Sequence, residues 1–329
     1  TGPTATNCIR TAPDNGCSVA EGNSTFANGF ASHAEGDTTT TNGFASHAEG
    51  FITTASGDTS HVEGFRTTAN GFASHAEGHT TTASGEASHA EGHTTTASGS
   101  TSHAEGDTTT ASGSTSHAEG SSTTASGDAS HAEGFGTTAR GFSSHAEGFG
   151  TTASGDTSHA EGHTTTASGF VSHAEGFGTT ASGFSSHAEG NTTTASGIAS
   201  HAEGTNTTAS GTDSHAEGLG TTANGPFSHA EGLNTIVDII HLGSHIMGQN
   251  GTTRFPFSWH LANGIAVGPT LNSAVIEGGT GNLYLDGVVL SPAAADYAEM
   301  FETIDGNPID VGYFVTLDGD GDKIRKANA

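Results

Sequence analysis

The pentapeptide Ser-His-Ala-Glu-Gly returns every 14 residues from Ser32 onward, with no insertion or deletion. Its histidines are His33, His47, His61, His75, His89, His103, His117, His131, His145, His159, His173, His187, His201, His215 and His229. Its glutamates are Glu35, Glu49, Glu63, Glu77, Glu91, Glu105, Glu119, Glu133, Glu147, Glu161, Glu175, Glu189, Glu203, Glu217 and Glu231, and Glu21 holds the same register one period earlier. A period this strict is the signature of stacked coils, one supersecondary unit per repeat. The full unit reads S-H-A-E-G-x-x-T-T-A-S-G-x-x and contains a quieter period of seven, with Ala third and Gly fifth in each half. One coil is then two short strands and two tight turns, with Gly expected where the turns need positive φ. Adjacent coils should pair as parallel strands about 4.8 Å apart, so sixteen coils would make a rod on the order of 75 Å long.

Side chains alternate across a strand. In Ser32–Gly36 one face carries Ser32, Ala34 and Gly36, and the other carries His33 and Glu35. Only the small set fits inside a coil of two strands, so His and Glu should point outward. In the second half Thr81, Ala83 and Gly85 are expected inside, with Thr82 and Ser84 outside. Val62 and Thr41 each take the inner Ala position once. The expected fold class is all-β. A parallel β-roll or solenoid of 14-residue repeats spans 18–232, a separate leader spans 1–17, and a smaller, mostly β C-terminal domain spans 233–329.

Leu, Ile, Val and Phe number 48 of 329 residues, and the formal charge is −28. In an aperiodic chain those values would indicate disorder. The repeat overrides that reading, because a thin coil is filled by Ala, Ser, Thr and Gly. The same shortage means that one chain buries little apolar surface alone, which favours self-association. Seven Lys and Arg against 35 Asp and Glu argue against nucleic acid and anionic membranes as partners. No segment approaches 18 consecutive apolar residues, so membrane insertion is not expected.

His and Glu two residues apart share one strand face, and both can ligate metal. A metal site also needs a closed ligand set and an orienting outer shell. A repeated ladder reads more simply as a structural device, with imidazole donating to a carboxylate of the next coil or the next chain. No metal, no other cofactor and no catalytic residue are therefore expected; catalysis needs a unique pocket, and nothing singles out one coil. Stacked carboxylates repel, by roughly 4 kcal/mol for unit charges about 4 Å apart at an effective dielectric near 20. Neighbouring carboxylates are expected to win over burial and raise the folded His pKa values above the unfolded reference.

The turn corners vary. After Glu-Gly they carry Phe51, Phe65, His79, His93, Phe135, Phe149, His163 and Phe177 among others; after the second Gly they carry Phe30, Phe44, Phe72, Phe142, Phe170 and Phe184. Stacking along the rod edge or against a neighbouring chain is the plainer reading. A strip that binds a glycan or receptor is the sharper one. Cys8 and Cys17 flank Pro13-Asp14-Asn15-Gly16, a strong turn; they read as two free thiols or, in an oxidising compartment, as an intrachain loop or a staple between two chains. Beyond 232, Ile236, Val237, Ile239 and Ile240 form an apolar run, and Ser244-His245-Ile246-Met247-Gly248 echoes the repeat as one last capping coil. Short strand signals follow at Ile265–Val267, Ala274–Ile276, Leu283–Leu285, Val288–Leu290 and Tyr313–Leu317. Asp318-Gly319-Asp320-Gly321-Asp322 reads as an acidic turn, since a calcium loop would need a Gly at its sixth position and a Glu at its twelfth.

The unit with two A-x-G half-repeats resembles the head repeat of YadA-type trimeric autotransporter adhesins, over residues 18–232. Ser18-Val19-Ala20-Glu21-Gly22 is nearest to the S-V-A-I-G pattern of that family. The resemblance implies a left-handed β-roll in a homotrimeric fibre. His and Glu replace the family's apolar pair, so a polar trimer interface formed by the His and Glu of the ladder is expected. A second resemblance lies in Ser291-Pro292, Ala295-Asp296-Tyr297-Ala298-Glu299-Met300-Phe301-Glu302, Asp305-Gly306-Asn307-Pro308 and Gly312-Tyr313-Phe314-Val315-Thr316-Leu317-Asp318-Gly319. These are similar to the peptidase G2 family, a self-cleaving intramolecular chaperone domain found at the C-termini of phage appendages and bacillus surface proteins. It implies a cleavage junction near Ala329, with the chaperone and any nucleophile beyond it. Together the resemblances imply a structural, adhesive, non-enzymatic fibre outside the cell, on a spore or cell surface or a virion. The rival is a phage appendage whose Phe and His corners bind a glycan or receptor.

Overall fold

The computed structural model describes residues 16–264 and 272–286, and the backbone of four further strands, Cys8–Ala12, Glu302–Thr303, Val315–Leu317 and Lys323–Lys326. Outside the described residues lie most of the leader and its Pro13–Asn15 turn. So do the strand signals at Ile265–Val267 and Val288–Leu290, the acidic turn at Asp318–Asp322 and Ala329. The chain divides into two units, Thr1–Asp286 and Gly287–Ala329.

All described regular elements are β-strands. In the first unit, strands from Ser18–Asn23 to Trp259–Asn263 pair in parallel, one per coil, giving a solenoid of about eighteen turns. The register is residue on residue: His89 pairs with His103, Ala90 with Ala104 and Glu91 with Glu105. The opposite wall is a 16-stranded parallel sheet in which Thr82 pairs with Thr96 and Ala83 with Ala97. Between the walls run two Ala columns, fully buried from Ala48 to Ala230. Inner Ser and Thr are buried as well, and the outer His and Glu are half-buried. Val62 and Thr41 are both fully buried, so the thin core accepts each enlargement. Inner Ser also makes a bond of its own. Ser88 Oγ donates to the Gly85 carbonyl at 2.8 Å, and the same bond recurs from Ser32 to Ser228. An inner hydroxyl thus satisfies a turn carbonyl that Ala could not.

The glycines divide into two kinds. Gly92, after Glu, has φ +104, as the turn argument expects. Gly85 and its equivalents are not at positive φ; they are needed because a Cβ there would overlap the carbonyl oxygen of the next coil, Gly99 for Gly85. The tight left-handed corner residue comes two positions after each Gly and is mostly not glycine. Ile52 (φ 57), Thr80 (φ 60) and Val171 (φ 56) are examples, and Gly136 (φ 65) and Gly178 (φ 63) fill the same place in other coils. The dense hydrogen bonding of the stack holds this strain, for example Thr80 N donating to Phe65 O at 2.8 Å.

The stack outlasts the strict repeat. His245–Gln249 pairs in parallel with His229–Leu233, and Trp259–Asn263 pairs on it in turn. Larger inner residues fill these coils: Val237, Ile246 and His260 are fully buried. Antiparallel strands close both ends of the sheet, Cys8–Ala12 against Ser18–Asn23, and Asn272–Ile276 followed by Leu283–Leu285 against Trp259–Asn263. Such caps keep the open edges of a parallel stack from templating further strands. In the second unit, Lys323–Lys326 lies between Glu302–Thr303 (parallel) and Val315–Leu317 (antiparallel).

Two substitutions separate the two backbone constraints. Gly85→Ala should destabilise the rod by about 3 kcal/mol or more, because backbone must move. Ile52→Gly should stabilise it by roughly 0.5–1 kcal/mol, relief of left-handed strain exceeding the entropy of glycine. Denaturant melts of the two variants check the opposite signs.

Candidate functional site

In-register pairing turns each repeat position into a column. The ladder imidazoles form one continuous stack from His33 to His245, with ring centroids 4.6–4.9 Å apart. From His75 onward the rings are near parallel, within 1° for His89 and His103. His245 belongs to this column although it lies outside the strict repeat. Its 14-residue spacing to Trp259, and that of Ser244 to Ser258, is the sequence signal that extends the stack.

From His117 to His245 each imidazole reaches back to the glutamate of the preceding coil, at 3.2–3.5 Å. His201 Nε2 lies 3.2 Å from Glu189 Oε1, His215 Nε2 3.2 Å from Glu203 and His229 Nε2 3.2 Å from Glu217. The contact loosens toward the N-terminal coils, to 4.0 Å for His103 and Glu91. Some imidazoles also approach the glutamate of their own coil, as His89 does Glu91 at 3.7 Å. The bonding between coils that the sequence suggests is therefore present in part, from His131, His145, His187, His201, His215 and His229 to the coil before. On the first seven coils, Glu21 to Glu105 with their following glycines line an open groove of ≈ 870 Å³.

The direction of the imidazole pKa shifts corrects the sequence expectation. Burial, then the like charge of stacked neighbours, holds His89 below its ordinary 6.5 and outweighs the raising effect of Glu77 and Glu105. His47, His61, His103, His173 and His229 are lowered too, with burial the leading cause. The expectation set the carboxylates above burial; burial wins, and imidazoles 4.8 Å apart add to it by disfavouring one another's charge. The carboxylates share protons. Hydrogen bonds with Glu77 and Glu105 raise Glu91 to about 7, and those with Glu63 and Glu35 raise Glu49 to about 7. Glu77 and Glu105, on the accepting side, are lowered.

Aromatic corners stack in the same way. Phe51, Phe65, His79 and His93 form one run, and Phe135, Phe149, His163 and Phe177 another, at 4.8–5.3 Å. His93 Nδ1 pairs with Asp107 at 2.8 Å. About half of the Phe135, Phe149 and Phe177 surface stays exposed, but the faces lie against each other, so these rings offer mainly edges. At the N-terminal cap, Cys8 pairs with Gly22 while Cys17 is an exposed free thiol at the turn. In that register Cys8 stands level with Gly22, five residues along the strand from Cys17. At the other end, fully buried His260 accepts from Arg254 N–H through Nε2 at 2.9 Å and donates through Nδ1 to the His245 carbonyl at 3.2 Å. Among the described residues no helix is long and apolar enough to cross a membrane.

Comparison with protein families matches both regions. Residues 90–116, 146–172, 188–214, 202–228 and 216–237 match the YadA head domain repeat. Residues 260–329 match Peptidase_G2, the IMC autoproteolytic cleavage domain. No curated protein matches the chain.

The two kinds of shift act oppositely with pH. Lowered His pKa values give stability that is full above 6.5 and fades as pH falls below it. The raised Glu91 gives stability that is full below 4.5 and is lost as pH rises through about 7. In chelator-treated buffer, Glu91→Gln, which keeps the donor without the charge, should raise the melting temperature at about pH 8 and much less at about pH 4.5. His89→Asn with His103→Asn should weaken the loss of stability between about pH 6.5 and 5. Melting curves across this range read both effects.

Proposed function

We propose that the chain is the subunit of a homotrimeric, adhesive surface fibre in which three rods meet through their His–Glu faces. The observation that carries this reading is the uniformity of that face. From His33 to Glu231 it repeats one polar pair, half-buried even in the single chain, while the corners change from coil to coil. A long symmetric contact demands a repeated surface on each partner. The matches to the YadA head repeat support the trimer and the adhesive role, and the thin Ala core supports the need for partners. The same likeness supports a location outside the cell; the fibre's placement on a spore or cell surface or a virion belongs to this proposal.

Native mass spectrometry should give a particle of three times the 32.6 kDa chain. A monomer under those conditions would overturn the proposal. Glycan or receptor binding by the corner Phe and His residues is the second reading; their exposure favours it, while the mutual stacking of their faces removes the usual sugar platform.

Maturation by self-cleavage belongs to the same reading and rests on the match of residues 260–329 to an autoproteolytic cleavage domain. No turnover of other substrates is assigned. Expression of the complete coding sequence with protease inhibitors should yield a discrete fragment with a new terminus in or next to that region. Recovery of uncut chains in assembled fibres would argue that the domain is inactive here.

A further inference from the structure

The ladder carries the donor atoms of a transition-metal site, repeated along the rod. Glu91 lies 3.7 Å from His89 Nε2 and 4.0 Å from His103 Nε2, and the three ligand atoms fall within 4.8 Å of one another. Groups such as His117–Glu119–His131 and His187–Glu189–His201 repeat the arrangement. The sequence argument against metal was that a ladder need not close into a ligand set; the structure closes one from two successive coils.

Three further observations point to an occupant. The Nε2 atoms of His89, His103, His117, His159 and His173 are buried and make no hydrogen bond. Between residues 18 and 232 the only Lys or Arg are Arg66 and Arg140, so the glutamate column has almost no fixed cation beside it. The spacing also fits. In a tetrahedral site with bonds of about 2.0–2.1 Å, ligand atoms sit roughly 3.4 Å apart. His131 Nε2 and Glu119 Oε1 are already 3.3 Å apart. To bring two imidazole nitrogens onto one ion, the parallel rings must tilt toward each other. The column tolerates this: His47 and His61 are inclined by 41°, and His61 and His75 by 27°.

We propose that the ladder binds divalent transition-metal ions of the Zn²⁺ class, each held by Nε2 of two histidines in successive coils and a carboxylate oxygen of the glutamate between them. Two imidazoles and one carboxylate suit Zn²⁺ and its neighbours and not Mg²⁺ or Ca²⁺, which take all-oxygen shells. The fourth position faces the open side of the ladder and takes water or a group from a second chain. All three protein ligands come from one chain, so the proposal does not depend on the trimer. Each His serves two adjacent groups, and doubly charged ions one coil apart repel strongly. The ions should therefore fill alternate coils. Bound there, they would clamp neighbouring coils and neutralise the carboxylate column.

The test uses the full chain, stripped with chelator and titrated with Zn²⁺ by calorimetry, with Mg²⁺ in parallel. Saturable binding of several Zn²⁺ per chain, with no comparable Mg²⁺ binding and a rise in melting temperature, is the expected result. His117→Gln, His131→Gln and His145→Gln together should lower the number bound, while His79→Gln, His93→Gln and His163→Gln at the corners should not. If the ladder variant fails to fold, Co²⁺ bound to the unmodified chain gives the second reading, since its visible spectrum distinguishes a tetrahedral nitrogen–oxygen site from a hydrated ion. Absence of saturable Zn²⁺ binding, a hydrated-ion spectrum, or loss of binding only in the corner variant would overturn the proposal.

Discussion

The constraint on which the rod depends is in-register stacking at a single coil spacing. Once His89 must sit over His103 and Glu91 over Glu105, every position becomes a column of like residues. For Ala and Gly this is favourable: two Ala columns fill the interior, and columns such as Gly85 and Gly99 let backbones approach where a Cβ could not fit. For charged residues it is a difficulty, because each meets its own kind above and below. The molecule answers with two polar columns side by side, imidazole next to carboxylate, cross-linked from coil to preceding coil from His117 onward. Lysine would not serve as well. A lysine column would stay charged and repel itself, whereas imidazole can remain neutral and still donate a hydrogen bond.

A core of Ala, Ser and Thr has a second consequence. It buries little apolar area per residue, and apolar burial is the main favourable term in folding. The stack compensates with backbone hydrogen bonds between coils and with Ser hydroxyls on turn carbonyls, as Ser88 on Gly85. The apolar side chains that the rod does possess are mostly at its corners, where Phe30 and Phe44 stack at 5.6 Å and Phe170 and Phe184 at 5.3 Å. The end coils differ. Ile246, Val237 and Val275 bring aliphatic volume inside where antiparallel strands close the sheet.

Much of this was legible in the sequence because period and alternation are the fold. The strict spacing gave the coil, and the small residues at alternate positions gave its inside. Three things were not legible, each for a physical reason. The left-handed corner at Ile52 or Val171 looks ordinary in sequence, because the strain is held by bonds to the neighbouring coil rather than by a local glycine. Of the last two coils, one showed only as a faint echo at Ser244–Gly248 and the other escaped notice, because larger inner residues break the motif while keeping the 14-residue spacing from Ser244 to Ser258. The protonation of the ladder is not legible because a sequence shows the His–Glu neighbour at once, but shows the burial of the imidazoles, and after it their His–His neighbours, only once the stack is known.

That protonation bears on what the face can do. A partner chain that covers the ladder must strip water from it, and removing water from ionised groups is costly unless they are paired. Burial and stacking keep His89 and His103 neutral more readily than free imidazole, and shared protons hold Glu49 and Glu91 near 7. Around neutral pH these positions therefore carry less charge than their composition suggests. A surface written in His and Glu can in this way be dehydrated at lower cost than one written in Lys and Glu, and yet stay soluble while it is uncovered.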